Sequence, residues 1–274
     1  MCKKLFSIFY LFFYLFTSNV YADHTAIPEP PFDKGEYLEY QVSYSFIQAG
    51  TIVMSVDEEL HEINKNPCYK LQVKGTSNQA LNLLGMSVNN VWESYLDVKS
   101  LQPRRFFAHI QEKNYERKEC VDFDYQTKKA TIEVTESIHG MEPKIFYAVI
   151  SDTIKDMVSG YYRLRDIDTT QLKPNDKLVL SVLHENHIYN DVSIVYLGKT
   201  ISNTKLGKVS TLVFAPMIPY VENGIFKGER PVEVFISEDV NKIPVKLRAN
   251  LMIGTVDIEL SNYKGLRVDI PFKN

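Results

Sequence analysis

Cysteine, clustered basic charge and long apolar runs are all scarce in this chain, and each scarcity closes off a class of protein. Three cysteines in 274 residues are too few for a disulfide-rich scaffold. Basic residues gather only as pairs such as Arg104-Arg105 and Lys128-Lys129, so the basic face of a polyanion binder is missing and no nucleic-acid partner is expected. Beyond the N-terminal region no run approaches the roughly 18 apolar residues that cross a bilayer.

Catalytic signatures are missing as well. There is no Gly-x-Ser-x-Gly elbow and no paired-cysteine redox motif. Gly198-Lys199-Thr200 resembles the end of a phosphate loop, but Ser193 stands where its first glycine belongs. No catalytic, cofactor-binding or metal-ligating residue is therefore expected.

What is present begins with Met1 to Ala22. Two lysines, an apolar run from Leu5 to Phe16 and then Val20-Tyr21-Ala22 before Asp23 have the order of a secretory signal, with cleavage expected after Ala22. The apolar run is too short to remain as a spanning anchor. Cys2 lies before that run, the wrong side for a lipid-anchor cysteine. Export is the expectation, to the periplasm first and the extracellular space as the alternative, with no transmembrane segment after cleavage.

Loss of Cys2 leaves Cys68 and Cys120. In an oxidising compartment they could form a disulfide, or they could remain two buried thiols; the sequence leaves both readings open. Loss of Lys3 and Lys4 leaves 29 basic residues against 34 acidic ones, a formal charge of −5.

Residues 23–35 carry Pro28, Pro30 and Pro31, which cannot donate to a ladder, so this stretch reads as an extended lead-in. From 36 to 274 a single β-rich domain is expected. Leu38, Tyr40, Val42, Tyr44 and Phe46 alternate with Glu39, Gln41, Ser43 and Ser45, the period of a half-buried strand. The same rhythm returns at Tyr69-Leu71-Val73, Val121-Phe123-Tyr125, Ala130-Ile132-Val134, Leu178-Leu180-Val182, Val192-Ile194-Tyr196 and Val245-Leu247-Ala249-Leu251. Turn residues separate these runs, which predicts a mainly β fold: a large curved antiparallel sheet or barrel-like sandwich.

Two stretches break the rhythm. Ile154, Val158, Tyr161 and Leu164 make one apolar stripe and predict a single amphipathic helix over 151–165, with Ser151 or Asp152 as its N-cap. Asn78 to Met86 could form a helical turn, against which its length and Gly85 speak; core contact is the first reading and an apolar loop covering a barrel mouth the alternative.

Clusters that could carry chemistry have plainer explanations. His184 and His187, read as the end of one strand, would point to opposite faces. Asp122 and Asp124 share a strand face that the apolar alternation turns toward water. Asp166-Ile167-Asp168 lacks the glycine and glutamate of a calcium loop. Seventeen tyrosines and fifteen phenylalanines recur on strand faces and could line a cavity or interdigitate in a core. Trp92 and Tyr95 are expected on opposite faces of their strand.

The segment Phe32-Asp33-Lys34-Gly35-Glu36-Tyr37-Leu38-Glu39-Tyr40-Gln41-Val42 with Ala49-Gly50, and Phe235-Ile236-Ser237-Glu238-Asp239 through Ile243-Pro244-Val245 to Ile253-Gly254-Thr255, resemble the exported bacterial proteins grouped as domain of unknown function 3108. Trp92 to Asp97, Leu101-Gln102-Pro103 and the segment with Asp156 and Tyr161 to Arg165 fit the same layout. The resemblance covers nearly all of the chain beyond the leader. It implies a mostly antiparallel β fold, export across the inner membrane and an envelope setting, and it brings no active-site residue.

Taken together, the expected function is binding of an apolar or lipid-like molecule within a β barrel or half-barrel. A structural or assembly module that meets an envelope protein partner is the alternative, and an envelope hydrolase comes third.

Overall fold

A computed structural model describes residues 30–83, 85–184, 187–217 and 226–273. The leader expected over 1–22, and the lead-in before Pro30, lie outside the described residues.

Among the described residues fourteen strands form one antiparallel sheet. In chain order they are β1 (Tyr37–Tyr44), β2 (Ile47–Ile63), β3 (Asn66–Ser77), β4 (Asn89–Asp97), β5 (Pro103–Glu112), β6 (Tyr115–Asp124), β7 (Lys129–Glu136), β8 (Lys144–Val149), β9 (Lys177–His184), β10 (His187–Thr204), β11 (Gly207–Met217), β12 (Val232–Ser237), β13 (Pro244–Asn250) and β14 (Thr255–Lys264). Each strand pairs with its chain neighbour, except that β8 and β9 do not pair and β1 instead lies beside β14. The two halves of the chain are thus hairpin meanders joined at the β1–β14 seam, and β8 and β9 are left as the edges.

Two α-helices among the described residues accompany the sheet, α1 (Gln79–Leu83) and α2 (Met157–Leu164). The second shows that the sheet is curled. It touches β3 and β4 as well as β9, although β4 and β9 are nine strand steps apart. Laid flat, nine steps would span about 43 Å, whereas a helix of this length is about 12 Å long. Register shifts at Glu39/Tyr40, Val42/Ser43, Val56/Leu60, Tyr95/Leu96, Tyr189/Val192, Tyr196/Gly198 and Phe235/Ile236 supply bends, since an unpaired residue kinks its strand and raises the local twist.

The concave face carries the alternating residues read from the sequence: Leu38, Tyr40 and Val42 on β1, Ile52, Met54 and Val56 on β2, Leu71 and Val73 on β3, all buried in one apolar cluster with Ile132, Leu247 and Ile258. Trp92 is buried while Tyr95 faces outward beside Glu93 and Lys70. The expected alternation fails at Phe46. It sits in the β1–β2 turn rather than on β1 and is 93% exposed, because the strand ends at Tyr44.

The helix expected over 151–165 is shorter than the stripe suggested. The backbone of Lys155 is engaged elsewhere: its N–H donates to Ser181 O (3.3 Å) and its carbonyl accepts from Leu183 N (3.0 Å), a parallel bridge that covers the outer edge of β9. The N-cap is Asp156, not Ser151 or Asp152. Its carboxylate accepts from Val158 N and Ser159 N, and Ser159 Oγ accepts from Asp156 N in return, a reciprocal capping box. Met157, Val158, Tyr161 and Tyr162 are all buried, so α2 is enclosed by the sheet rather than half-wet on its surface. Among the described residues no helix is long and apolar enough to cross a membrane.

Candidate functional site

Hairpin order gathers three connections of like composition at one end of the curled sheet. At one end the β1–β2, β3–β4 and β13–β14 connections lie side by side, because their strands are adjacent. None of the three carries charge. No Asp, Glu, Lys or Arg occurs between Glu39 and Asp57, between Lys74 and Glu93, or between Arg248 and Asp257. Their tips instead expose Phe46 and Ile47, Leu83 at the end of α1, and Met252 and Ile253. Leu83 is 82% and Ile253 77% exposed. Scattered surface apolar residues need no explanation, but a contiguous group does.

The tips are held to one another. Tyr44 Oη donates to Ile253 O (2.6 Å) and Ser45 N to Thr255 O (2.6 Å). Asn78 N donates to Ala49 O (2.9 Å) and its side-chain amide to Gln48 O. Gly254 has a φ of +78°, and a Cβ there would come within 2.7 Å of Ser45 Oγ; only glycine lets these two turns approach so closely. The rim is thus built as a unit.

At the margin of this rim, Glu112 at the end of β5 accepts from Asn90 Nδ2 (2.8 Å). Burial pushes its carboxyl up to about 7, and the Asn90 bond opposes that shift. The acid beside these charge-free connections is thus partly neutral near neutral pH.

The opposite end is mixed, with Leu172, Leu212 and Val240 beside polar groups. A groove of about 600 Å³ opens there, with Thr169, Thr170, Lys199, Glu238, Asp239 and Lys242 among its walls and Arg165 at its side. Most of this charge is already matched inside the protein. Lys199 pairs with Glu238, and Lys242 Nζ donates to Ile167 O. Arg165 is buried and donates from Nη1 and Nη2 to Glu36 Oε1 (2.6 Å) and Oε2 (2.8 Å), and from Nε to Asn241 O (2.8 Å). Around it Tyr162 meets Tyr161 and Phe32 edge-on, at 4.9 and 5.2 Å between ring centroids. Phe32 therefore anchors the last residues of the lead-in within the core.

Residues singled out from the sequence are dispersed. Cys68 on β3 and Cys120 on β6 are free thiols, three strand steps apart. That is about 14 Å of sheet, beyond the roughly 7 Å between Cα atoms that a disulfide tolerates. Cys68 is buried and Cys120 half-buried. Burial pushes both upward, Cys68 to about 11 with Asp97 adding to the effect. Both are therefore expected to react slowly with iodoacetamide at neutral pH in the folded protein and quickly in urea, as counted by mass spectrometry. Rapid labelling of Cys68 in the folded state would contradict this.

His184 and His187 do not belong to one strand. They close the β9–β10 hairpin and face each other across the ladder, which the same-strand reading could not show. Asp122 pairs with Arg105 (2.7 Å) and Asp124 accepts from Gln126 N and Thr127 N in its own turn. Asp166 pairs with Arg163, and Asp168 accepts from Thr170 N. Among the described residues no three His, Cys, Asp or Glu side chains gather as a metal site. The apolar rim was missed as a group, although the three charge-free stretches were visible in the sequence; what was hidden was that they meet.

A curled, mainly antiparallel sheet wrapped on a short helix defines a barrel-like β protein with an open seam between its edges. The crystal structure of a beta-barrel-like protein of domain of unknown function DUF1849 from Brucella abortus has this architecture, with a TM-score of 0.52, 7% identity, and 85% of this chain and 98% of that one covered. The hypothetical protein CT021 from Chlamydia trachomatis aligns at a TM-score of 0.36 and 8% identity, over 88% and 93% of the two chains. No curated protein matches the chain. The family described as protein of unknown function (DUF3108) matches residues 39–261, and the chain belongs to that family.

Proposed function

We propose that this chain is an exported envelope protein, resident in the periplasm, that binds an apolar or lipid-like molecule at the three charge-free connections of its barrel-like sheet. The observation that carries the reading is the rim of Phe46, Ile47, Leu83, Met252 and Ile253 on three adjoining, charge-free connections. Burying two or three such side chains against an acyl chain contributes several kcal/mol, at about 25 cal/mol per Å² of apolar surface removed from water. The mixed and internally paired charge of the opposite groove offers no comparable drive. An amphipathic molecule fits the asymmetry, its apolar part on the rim and its polar part in water.

The test is to purify the mature chain from an envelope extract and analyse bound material by mass spectrometry beside an unrelated exported protein. Acyl-chain lipid enriched over that control is expected, and Phe46→Ser with Ile253→Ser should lower it by about fivefold while leaving the urea midpoint unchanged, as for exposed positions. Equal lipid on the native chain, the variant and the control would overturn the reading.

A further inference from the structure

The apolar alternation of the inner face breaks down around the β5–β6 turn. Ala108 and Ile110 of β5, Val121 and Phe123 of β6, and Ile132 and Val134 of β7 all belong to the apolar cluster. Residues two apart share a strand face, so Glu112 on β5, Tyr115, Arg117 and Glu119 on β6, and Glu136 on β7 point the same way. Register sets them side by side: Tyr115 opposes Glu112, and Arg117 lies between Ile110 and Glu136. Glu112, Arg117 and Glu119 are buried, whereas Tyr115 and Glu136 are half-buried. Solvent therefore reaches this part of the inner face.

Two of the three carboxylates are matched within the protein. Arg117 donates from Nη1 to Glu136 Oε1 and from Nη2 to Glu119 Oε2, both at 2.5 Å. Tyr115 Oη donates to Glu136 Oε1 (3.1 Å), and His139 Nε2 lies 3.5 Å from Glu136 Oε2. Glu112 differs. Its Oε1 accepts from Asn90 Nδ2 (2.8 Å), and the Asn90 amide is oriented for this by Gln111 N, which donates to Asn90 Oδ1 (2.9 Å). Among the described residues Oε2 of Glu112 meets no donor and no cation pairs with the group, although the residue is only 7% exposed. A buried carboxylate left in this state is costly, and either a proton or a cation from outside the chain relieves it.

We propose that this recess receives the ammonium group of an amine-bearing amphiphile, with Glu112 as its carboxylate partner. The inference rests on the lipid reading for the tail, and it gives the polar part a specific contact where solvent reaches the inner face. The two places adjoin. Val88 bridges to Glu112, and Lys113 N donates to Ser87 O (2.9 Å), so the end of β5 is laced to the connection that carries Leu83. An ammonium brings a full positive charge and three donors, and its bond to a carboxylate is of the strong, charge-assisted kind. An anionic head would face three carboxylates with Arg117 already engaged. A hydroxyl head would bring a donor without the charge.

The test uses octylamine, octanol and octanoate as probes, titrated calorimetrically into the mature chain at pH 8 and below micelle formation. Octylamine should bind about tenfold more tightly than either of the others, as a close charge pair predicts. Glu112→Gln should bring octylamine down to the octanol level with unchanged circular dichroism. Glu116→Gln, which alters a carboxylate on the outer face of β6, should keep the preference. Phe46→Ser with Ile253→Ser should weaken all three probes alike. Equal binding of the three probes, a preference that survives Glu112→Gln, or one lost as fully in Glu116→Gln would each overturn the proposal and leave the rim reading standing. A preference that depends on Glu112 but not on Phe46 and Ile253 would overturn the rim reading alone, and no binding of any probe would overturn both.

Discussion

Arg165→Met should destabilise the fold by about 3–5 kcal/mol, and adding Glu36→Leu should return most of that loss. Both partners are buried and joined by two near-parallel hydrogen bonds of 2.6 and 2.8 Å. Removing the guanidinium alone strands the Glu36 carboxylate in an apolar surround and leaves the Asn241 carbonyl without the Nε donor. A buried charge without its partner is costly, whereas an apolar pair of similar volume is close to neutral. Three parts of the molecule meet here: the start of β1, the end of α2 and the turn between β12 and β13. Urea unfolding of the native chain, both single variants and the double variant measures the coupling. If the double variant is as unstable as the sum of the singles, the pair is not acting as a unit.

The second large effect is on pH dependence. The folded state holds the Glu112 carboxyl at about 7, against an ordinary value of 4.5, through burial. Between those two values the folded chain binds a proton that the unfolded chain has released. Stability from this group is therefore fully present below about 4.5 and is lost as the pH rises to about 7, a difference of about 3 kcal/mol. Glu112→Gln should remove that slope. The stability of the variant relative to the native chain should rise between pH 5 and pH 8, read from denaturant midpoints. Parallel profiles for the two proteins would show that Glu112 titrates normally.

The parts of the fold that were legible are those in which neighbours along the chain decide the structure. Leu38-Tyr40-Val42 and Ala130-Ile132-Val134 alternate and are buried in alternation, because a strand half-covered by a core writes its period into the sequence. The helix start was misread because the backbone of Lys155 is committed to β9, a partner more than twenty positions away. Phe46 was assigned to a strand because alternation does not announce where a turn begins. The rim needed only one fact beyond the sequence, the adjacency of three connections. That adjacency follows from the β1–β14 seam, which no local pattern encodes. The Glu36–Arg165 pair had no signal: a glutamate at a strand start and an arginine at a helix end are ordinary surface choices.

The same seam orders events in time. β1 waits for its second neighbour until β14 has been made, some two hundred residues later, and the halves on either side share one apolar cluster. Contacts of such long separation form slowly, because loop-closure entropy is lost before they can reward it. An emerging N-terminal half has an open β1 edge and a concave face lacking both α2 and the far wall. It cannot settle until nearly the whole polypeptide is available. A chain of this design is expected to fold late, becoming rigid only once its last strand arrives.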